Sequence, residues 1–161
     1  MGPKDIIAKS MDMSDFIMNK YLDDLTDADL RLVPVEGMHP IAVQLGHLIS
    51  AERMFVEYVS PGLSPELPAG FADNHSLKND VPNRKLAAKD EYLKLWAAQR
   101  AATKKALESV NDAELTDTRG GTLPQFAPTV ADILNIVAIH SLNHSGQFVA
   151  VRRMLKKPIA F

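Results

Sequence analysis

The sequence predicts an all-α fold, a four-helix bundle with a long crossover between its second and third helices. Four long stretches carry apolar residues at the spacing of one helix face. No segment shows the apolar–polar alternation of a half-buried strand. Two extended, breaker-rich links separate the helical stretches, as a bundle with long connections requires. At 161 residues, the chain is expected to form one domain over residues 1–161 with a sizeable core.

The first helix is predicted over residues 4–25, with Ile6, Met13, Phe16, Ile17, Met18 and Leu22 as its apolar positions. Asp23, Asp24, Thr26, Asp27 and Asp29 mark a polar turn or short helical turn, and Pro34 and Gly37 break any continuation. The second helix starts near Pro40, because proline suits the first helical position, and runs to Val59 before Pro61 and Gly62. Residues 60–83 hold Pro61, Gly62, Pro65, Pro68, Gly70 and Pro82. So long a connection is uncommon in a compact domain; it is either a crossover joining parallel helices or a lid, and one loop can be both.

Asn83 is a candidate N-cap for a third helix over residues 84–110. Tyr92, Leu95, Trp96, Ala106, Leu107 and Val110 fall near one face, and Lys89, Asp90, Lys94, Arg100 and Lys104 are expected to face water. A polar link with Gly120, Gly121, Pro124 and Pro128 follows. Thr129 and Asp132 then form a capping box with aspartate in place of glutamate, opening a fourth helix that runs to Leu155. Lys156 and Lys157 suit its C-terminal dipole and Pro158 stops it. Its apolar residues lie on most sides, so it is expected to be the most central helix.

Lysine plus arginine number 18 and aspartate plus glutamate 20, a net charge of −2 that gives no footprint for nucleic acid. The absence of cysteine removes disulfides and thiolate ligands, so any transition metal must be held by imidazole or oxygen. No apolar run reaches the roughly 18 residues of a membrane span, and the N-terminus lacks a secretory apolar region, so cytoplasm is the expected location.

The chemistry-bearing residues concentrate in the second and fourth helices. His140, His144 and Gln147 stand at i, i+4 and i+7, on one face of an otherwise apolar helix, with Asn143 beside them. Burying such groups costs free energy unless they are satisfied, either by a shared metal ion or by neighbouring polar groups and water. Upstream, Gln44 lies one turn before His47 on a common face. Gly46 and Gly146 sit inside helical patterns at a cost of about 1 kcal/mol relative to alanine, which implies either close packing or simple tolerance.

The segments Gln44-Leu45-Gly46-His47-Leu48-Ile49 and His140-Ser141-Leu142-Asn143-His144-Ser145-Gly146-Gln147 resemble the two signature regions of the DinB-like (DinB/YfiT) metal-binding superfamily. Their order, separation and the chain length match as well, so the resemblance spans essentially the whole chain. It implies a four-helix bundle in which His47, His140 and His144 bind a divalent transition metal ion, commonly nickel or zinc. The family's long link between helices two and three corresponds to residues 60–83.

Three neutral imidazoles leave coordination positions open, as catalytic rather than structural sites do. Each ring should donate its other N–H to an oxygen, and Gln44, Asn143 and Gln147 are candidates for that role or for substrate contact. The site is not a His-Glu-x-x-His site, because Ser141 stands where the glutamate would be. Glu52 lies on a different face from His47 and is a poor base candidate, whereas Glu36 and Glu57 remain open. A metal that deprotonates a thiol needs no carboxylate base. This accords with characterised relatives, which include transferases and isomerases dependent on low-molecular-weight thiols such as bacillithiol and mycothiol.

The leading expectation is therefore a metal-dependent enzyme acting on a small molecule, with thiol S-transfer first and metal-assisted hydrolysis second. The competing classes are a metal-stabilised bundle that binds without chemistry, and a plain bundle whose histidines are core residues. The resemblance also implies a homodimer, to which an exposed apolar face on the first or third helix would be suited. His75 is expected to be a solvated loop side chain, His39 to sit where the second helix begins, Trp96 to be core or interface, and the methionines of the first two helices to pack.

Overall fold

The computed structural model describes residues 1–78, 81–119 and 125–159. Four long helices account for most of the chain: α1 (Pro3–Leu22), α2 (Ile41–Val59), α4 (Lys89–Ser109) and α5 (Val130–Met154), with a one-turn helix α3 (Phe71–Asn74) inside the crossover. Two short 3₁₀ turns cover Asp29–Arg31 and Glu114–Thr116. The described residues contain no strand, so the all-α reading holds. The expected link through Gly120, Gly121 and Pro124 lies outside the described residues.

Local chemistry sets most of the boundaries. Pro3 occupies the first turn of α1, and the Gly2 amide donates to the Asp5 carboxylate at 2.8 Å. That helix ends three residues short of the expected Leu25. A reciprocal Thr26–Asp29 pair claims the following backbone: the Thr26 amide donates to Asp29 Oδ2 at 2.9 Å and the Asp29 amide to Thr26 Oγ1 at 3.2 Å. At α5 the capping box is present in full, with the Asp132 amide donating to Thr129 Oγ1 at 3.2 Å and the Thr129 amide to Asp132 Oδ2 at 3.0 Å.

The third long helix departs from its sequence reading. It begins at Lys89 instead of residue 84, and Asn83 is not its cap, having a left-handed φ of +53°. Residues 84–88 instead form the end of the crossover and tie it to its own α3 turn. The Arg84 guanidinium donates to the carbonyls of Asn74 and Ser76, and the Lys85 amide donates to Asn74 Oδ1 at 2.9 Å. The new helix end is capped from a distance, by Asp27 Oδ1 accepting from the Lys89 amide at 2.7 Å.

Helix directions follow from side-chain pairs. Asp12 with Lys104, Asp15 with Arg100, and Lys4 with the carbonyls of Glu108 and Val110 run α1 antiparallel to α4. Gln44 with His144 and His47 with His140 run α2 antiparallel to α5. Arg152 near the end of α5 donates to the Tyr21 carbonyl near the end of α1, so these two are parallel. Ser60 meets Ser109 where α2 and α4 both finish, so α2 and α4 are parallel too. Parallel successive helices require a crossover, and residues 60–88 supply it.

The core divides into two apolar clusters. One gathers Met11, Val56, Ala106 and Leu134, the other Met18, Leu48, Tyr92 and Phe148. Between them lies a buried polar group, in which Arg100 of α4 faces Asp15 at 3.0 Å and Glu52 at 3.4 Å while Thr103 donates to Glu52. The expectation that Arg100 faces water is thus corrected: it is 3% exposed, drawn inward by two carboxylates and by Trp96, whose ring centroid lies 4.5 Å from the guanidinium carbon. Of α1's apolar residues, Ile6, Met13 and Phe16 stay exposed. Among the described residues no helix is long and apolar enough to cross a membrane.

The two helical glycines differ in cause. A Cβ on Gly46 would stand 2.1 Å from the His75 ring, whereas one on Gly146 would meet nothing within 4 Å. Gly46→Ala is therefore expected to lower the urea midpoint despite its better helix propensity, and Gly146→Ala to raise stability by about 0.5–1 kcal/mol. Equilibrium urea unfolding of the two variants checks this; an equal gain in both would remove the packing explanation.

Candidate metal centre

His47 faces the bundle from α2, while His140 and His144 are one turn apart on α5. The antiparallel register brings them together. Ring centroids are 5.2 Å apart for His47–His140, 5.3 Å for His47–His144 and 5.0 Å for His140–His144. One ring nitrogen from each can be chosen so that all three lie within 4.8 Å of one another. Nitrogens bound to one tetrahedral zinc at ~2.0–2.1 Å stand roughly 3.3 Å apart, so modest ring rotations close the set.

The tautomer of His144 is fixed by its neighbour. Its Nδ1–H donates to Gln44 Oε1 at 2.8 Å, and Gln44 Nε2 in turn donates to the His39 carbonyl at 2.9 Å. The amide orientation is thereby set, and Nε2 of His144 keeps its lone pair for a ligand. Burial pushes the pKa of His140 and of His144 down to about 4, with the neighbouring imidazoles adding a smaller repulsion. His47 is also lowered, first by burial and then by His39 and Lys78. All three rings are therefore neutral at pH 7, the state in which imidazole binds a metal without first losing a proton. Buried or half-buried, close and neutral, this donor set fits a divalent transition metal, and three protein ligands are one fewer than a closed tetrahedral site uses.

Of the other residues singled out in the sequence, Gln44 is buried at the site. Asn143 and Gln147 lie on the exposed side of α5 and make no hydrogen bond to the three rings. His39 Nε2 donates to the Leu77 carbonyl at 3.1 Å, tying the crossover down near where α2 begins. Glu36 is exposed, and both carboxylate oxygens of Glu57 accept backbone amides, from Gly62 at 2.8 Å and Ser64 at 3.0 Å. Glu52 points into the Arg100 cluster, where burial outweighs its partners and pushes its pKa up to about 7. Trp96 is core.

His75 contradicts the expectation of a solvated loop side chain: it is 2% exposed. Its Nδ1–H donates to the Phe71 carbonyl at 2.7 Å, which leaves Nε2 to accept from the Tyr92 hydroxyl at 2.8 Å. The ring lies on the bare backbone of Gly46, next to His47, and so pins the crossover across α2 and α4. The helical glycine was the available signal, since a missing side chain at a cost to the helix implies a group packed in its place.

Beside the histidines a cleft of about 770 Å³ opens between α2 and the crossover, with His47 in its wall. Its floor is fixed by helix, and its far wall by named bonds. Arg53 reaches Glu66 at 2.7 Å and the Pro65 carbonyl at 3.3 Å, and Gln99 also donates to that carbonyl at 2.9 Å. The crossover therefore acts as a standing wall.

The histidine shifts have a sign. Their folded-state pKa lies below the unfolded value of 6.5, so the unfolded chain binds more protons as pH falls from 6.5 through about 4, and native stability is lost over that window. Metal-free protein is thus expected to lose stability between pH 7 and pH 5, and a His140→Leu/His144→Leu double variant to lose less. Urea midpoints at the two pH values measure this; identical slopes would place the titration elsewhere.

A family model described as the DinB superfamily matches residues 17–148. No curated protein and no solved structure matches the chain. The match covers α2, the crossover, α4 and most of α5, including all three histidines, and the chain belongs to the DinB superfamily.

Proposed function

We propose that this protein is a metal-dependent enzyme acting on a small molecule, with thiol-dependent S-transfer as its leading reaction and metal-assisted hydrolysis as the alternative. One observation carries the reading: three neutral imidazoles from two helices converge at the edge of a ligand-sized cleft. A divalent ion, nickel or zinc, held there would lower the pKa of a thiol or water entering its vacant position and polarise an electrophile.

The protein's own part is binding and orientation. His47, His140 and His144 supply the ligand nitrogens. Gln44 holds His144 in the tautomer that presents Nε2. The apolar cleft wall offers contact to the body of a substrate lying against His47. Two nearby carboxylates are committed elsewhere: Glu52 to Arg100 and Thr103, Glu57 to two backbone amides. That commitment favours chemistry whose nucleophile is activated without a carboxylate base. In S-transfer, the thiol sulfur bonds to an electrophilic carbon, the leaving group departs with its electron pair, and the thiol proton passes to solvent.

The test incubates metal-loaded protein with a haloaromatic or an epoxide, with and without a low-molecular-weight thiol. Turnover that requires thiol supports the transferase. Turnover indifferent to thiol supports the hydrolase. No turnover in either, with metal bound, supports a non-catalytic metal-stabilised binding bundle.

The metal assignment itself is read from stoichiometry. His140→Ala is expected to abolish retention of zinc or nickel after desalting. His75→Ala is expected to leave stoichiometry unchanged while costing about 2 kcal/mol, because it empties the space on Gly46 and removes the buried ring's hydrogen bonds to the Tyr92 hydroxyl and the Phe71 carbonyl. Equal metal retention in both variants would defeat the assignment.

A further inference from the structure

We infer that the cleft beside His47 receives the hydrocarbon body of an uncharged, apolar substrate, and that it selects this body by length and not by charge. The inference rests on the reading of this cleft as the substrate's approach to the metal, and it adds the chemical class of the molecule that lies there. A volume of about 770 Å³ is within the usual range for small-molecule sites. Ala51, Met54 and Tyr58 on α2 face Leu67, Ala72 and Leu77 on the crossover. Met54 stays 46% exposed on this concave face, so an apolar body laid across it gains burial that folding left unmade. The far wall is already tied through the Pro65 carbonyl to Arg53 and Gln99, so little ordering opposes binding.

Polar groups of the lining are turned to protein partners. Arg53 pairs with Glu66 at 2.7 Å, and Glu57 accepts the amides of Gly62 and Ser64. Ser50 Oγ donates to the Gly46 carbonyl at 2.9 Å, and Ser76 Oγ accepts from the Lys78 amide at 3.3 Å. The charged side chains of the lining balance, Arg53 and Lys78 against Glu57 and Asp73, so it favours neither an anion nor a cation. A ligand that carries polar groups into the body of the cleft gives up water for partners already engaged, and bears the desolvation cost. A hydrocarbon gives up no hydrogen bond and gains apolar contact along the whole cleft.

Uncharged probes of growing length test this: 2-phenylethanol, 4-phenylbutanol and 6-phenylhexanol, titrated by calorimetry into metal-free and zinc-loaded protein. Affinity is expected to rise about three- to tenfold for each added pair of methylenes in both forms, with a negative heat-capacity change. In metal-free protein, 4-phenylbutyrate and 4-phenylbutylamine are expected to bind no more tightly than the alcohol of the same body. Ala72→Trp fills the cleft from an exposed position and should abolish binding of the series. Met54→Asp, which sets a charge in the apolar lining, should weaken 6-phenylhexanol about tenfold. Both variants should keep the wild-type zinc stoichiometry. Affinity that ignores length, no binding of any probe, a lead of either charged probe over the alcohol, or indifference to both substitutions overturns the proposal. The expected pattern in protein that holds no zinc, or that turns over no electrophile, sustains the cleft's preference and defeats the metal or enzymatic reading alone.

Discussion

Arg100 is the point at which the bundle is tied together. It stands on α4 and reaches every other long helix: Nε faces Asp15 of α1 at 3.0 Å, Nη2 faces Glu52 of α2 at 3.4 Å, and Nη1 donates to the Val137 carbonyl of α5 at 3.3 Å. A buried ion cluster of this kind is weak evidence for stability, since desolvation offsets the Coulombic attraction. Burial accordingly raises the pKa of Asp15 as well as that of Glu52. The cluster's contribution is register. Two apolar clusters above and below it would tolerate sliding between helices, but moving α2 or α4 by one turn would leave the buried Glu52 carboxylate without its partner, at a cost of about 3–5 kcal/mol.

The register set by Arg100 is also the register of the histidines. With α2 and α5 antiparallel, the level that places Glu52 against Arg100 places His47 opposite His140 and Gln44 opposite His144. The site is therefore assembled by the core and needs no loop to complete it. Its three imidazoles come from helix interiors, where packing limits their rotamers, which is the kind of support a preorganised metal site requires.

The helices and the histidine set were largely legible in the sequence, because both are written in short-range spacing. Apolar periodicity gave the four long helices, the Thr129–Asp132 box gave the start of α5, and the i, i+4 pair gave His140 and His144 one face. Apart from the end of α1, which the local Thr26–Asp29 pair cuts short, the failures share one physical cause: partners distant in sequence. Asn83 looked like a cap, but Asp27 performs that role for Lys89 from 62 residues away. Arg100 looked solvated because helical periodicity records the side a residue faces and is blind to carboxylates on α1 and α2 at the same level. His75 looked like a loop residue because nothing local announced Tyr92 or the bare backbone of Gly46.

The crossover joins these observations into one device. Parallel α2 and α4 oblige the chain to travel the length of the bundle between them, and the segment that does so lies beside His47. A free-running loop there would be a poor cleft wall. This one is held at intervals by Glu57, Arg53, Gln99, His75 and Arg84, each binding its backbone or, for His75, bridging from it to Tyr92. Most of these bonds end on carbonyl or amide groups, so the crossover's side chains remain available to face the cleft. A topological necessity of the bundle has thus become one wall of the cleft, and the cost of ordering so long a connection is offset by hydrogen bonds that leave Leu67, Leu77 and Lys78 in its lining beside His47.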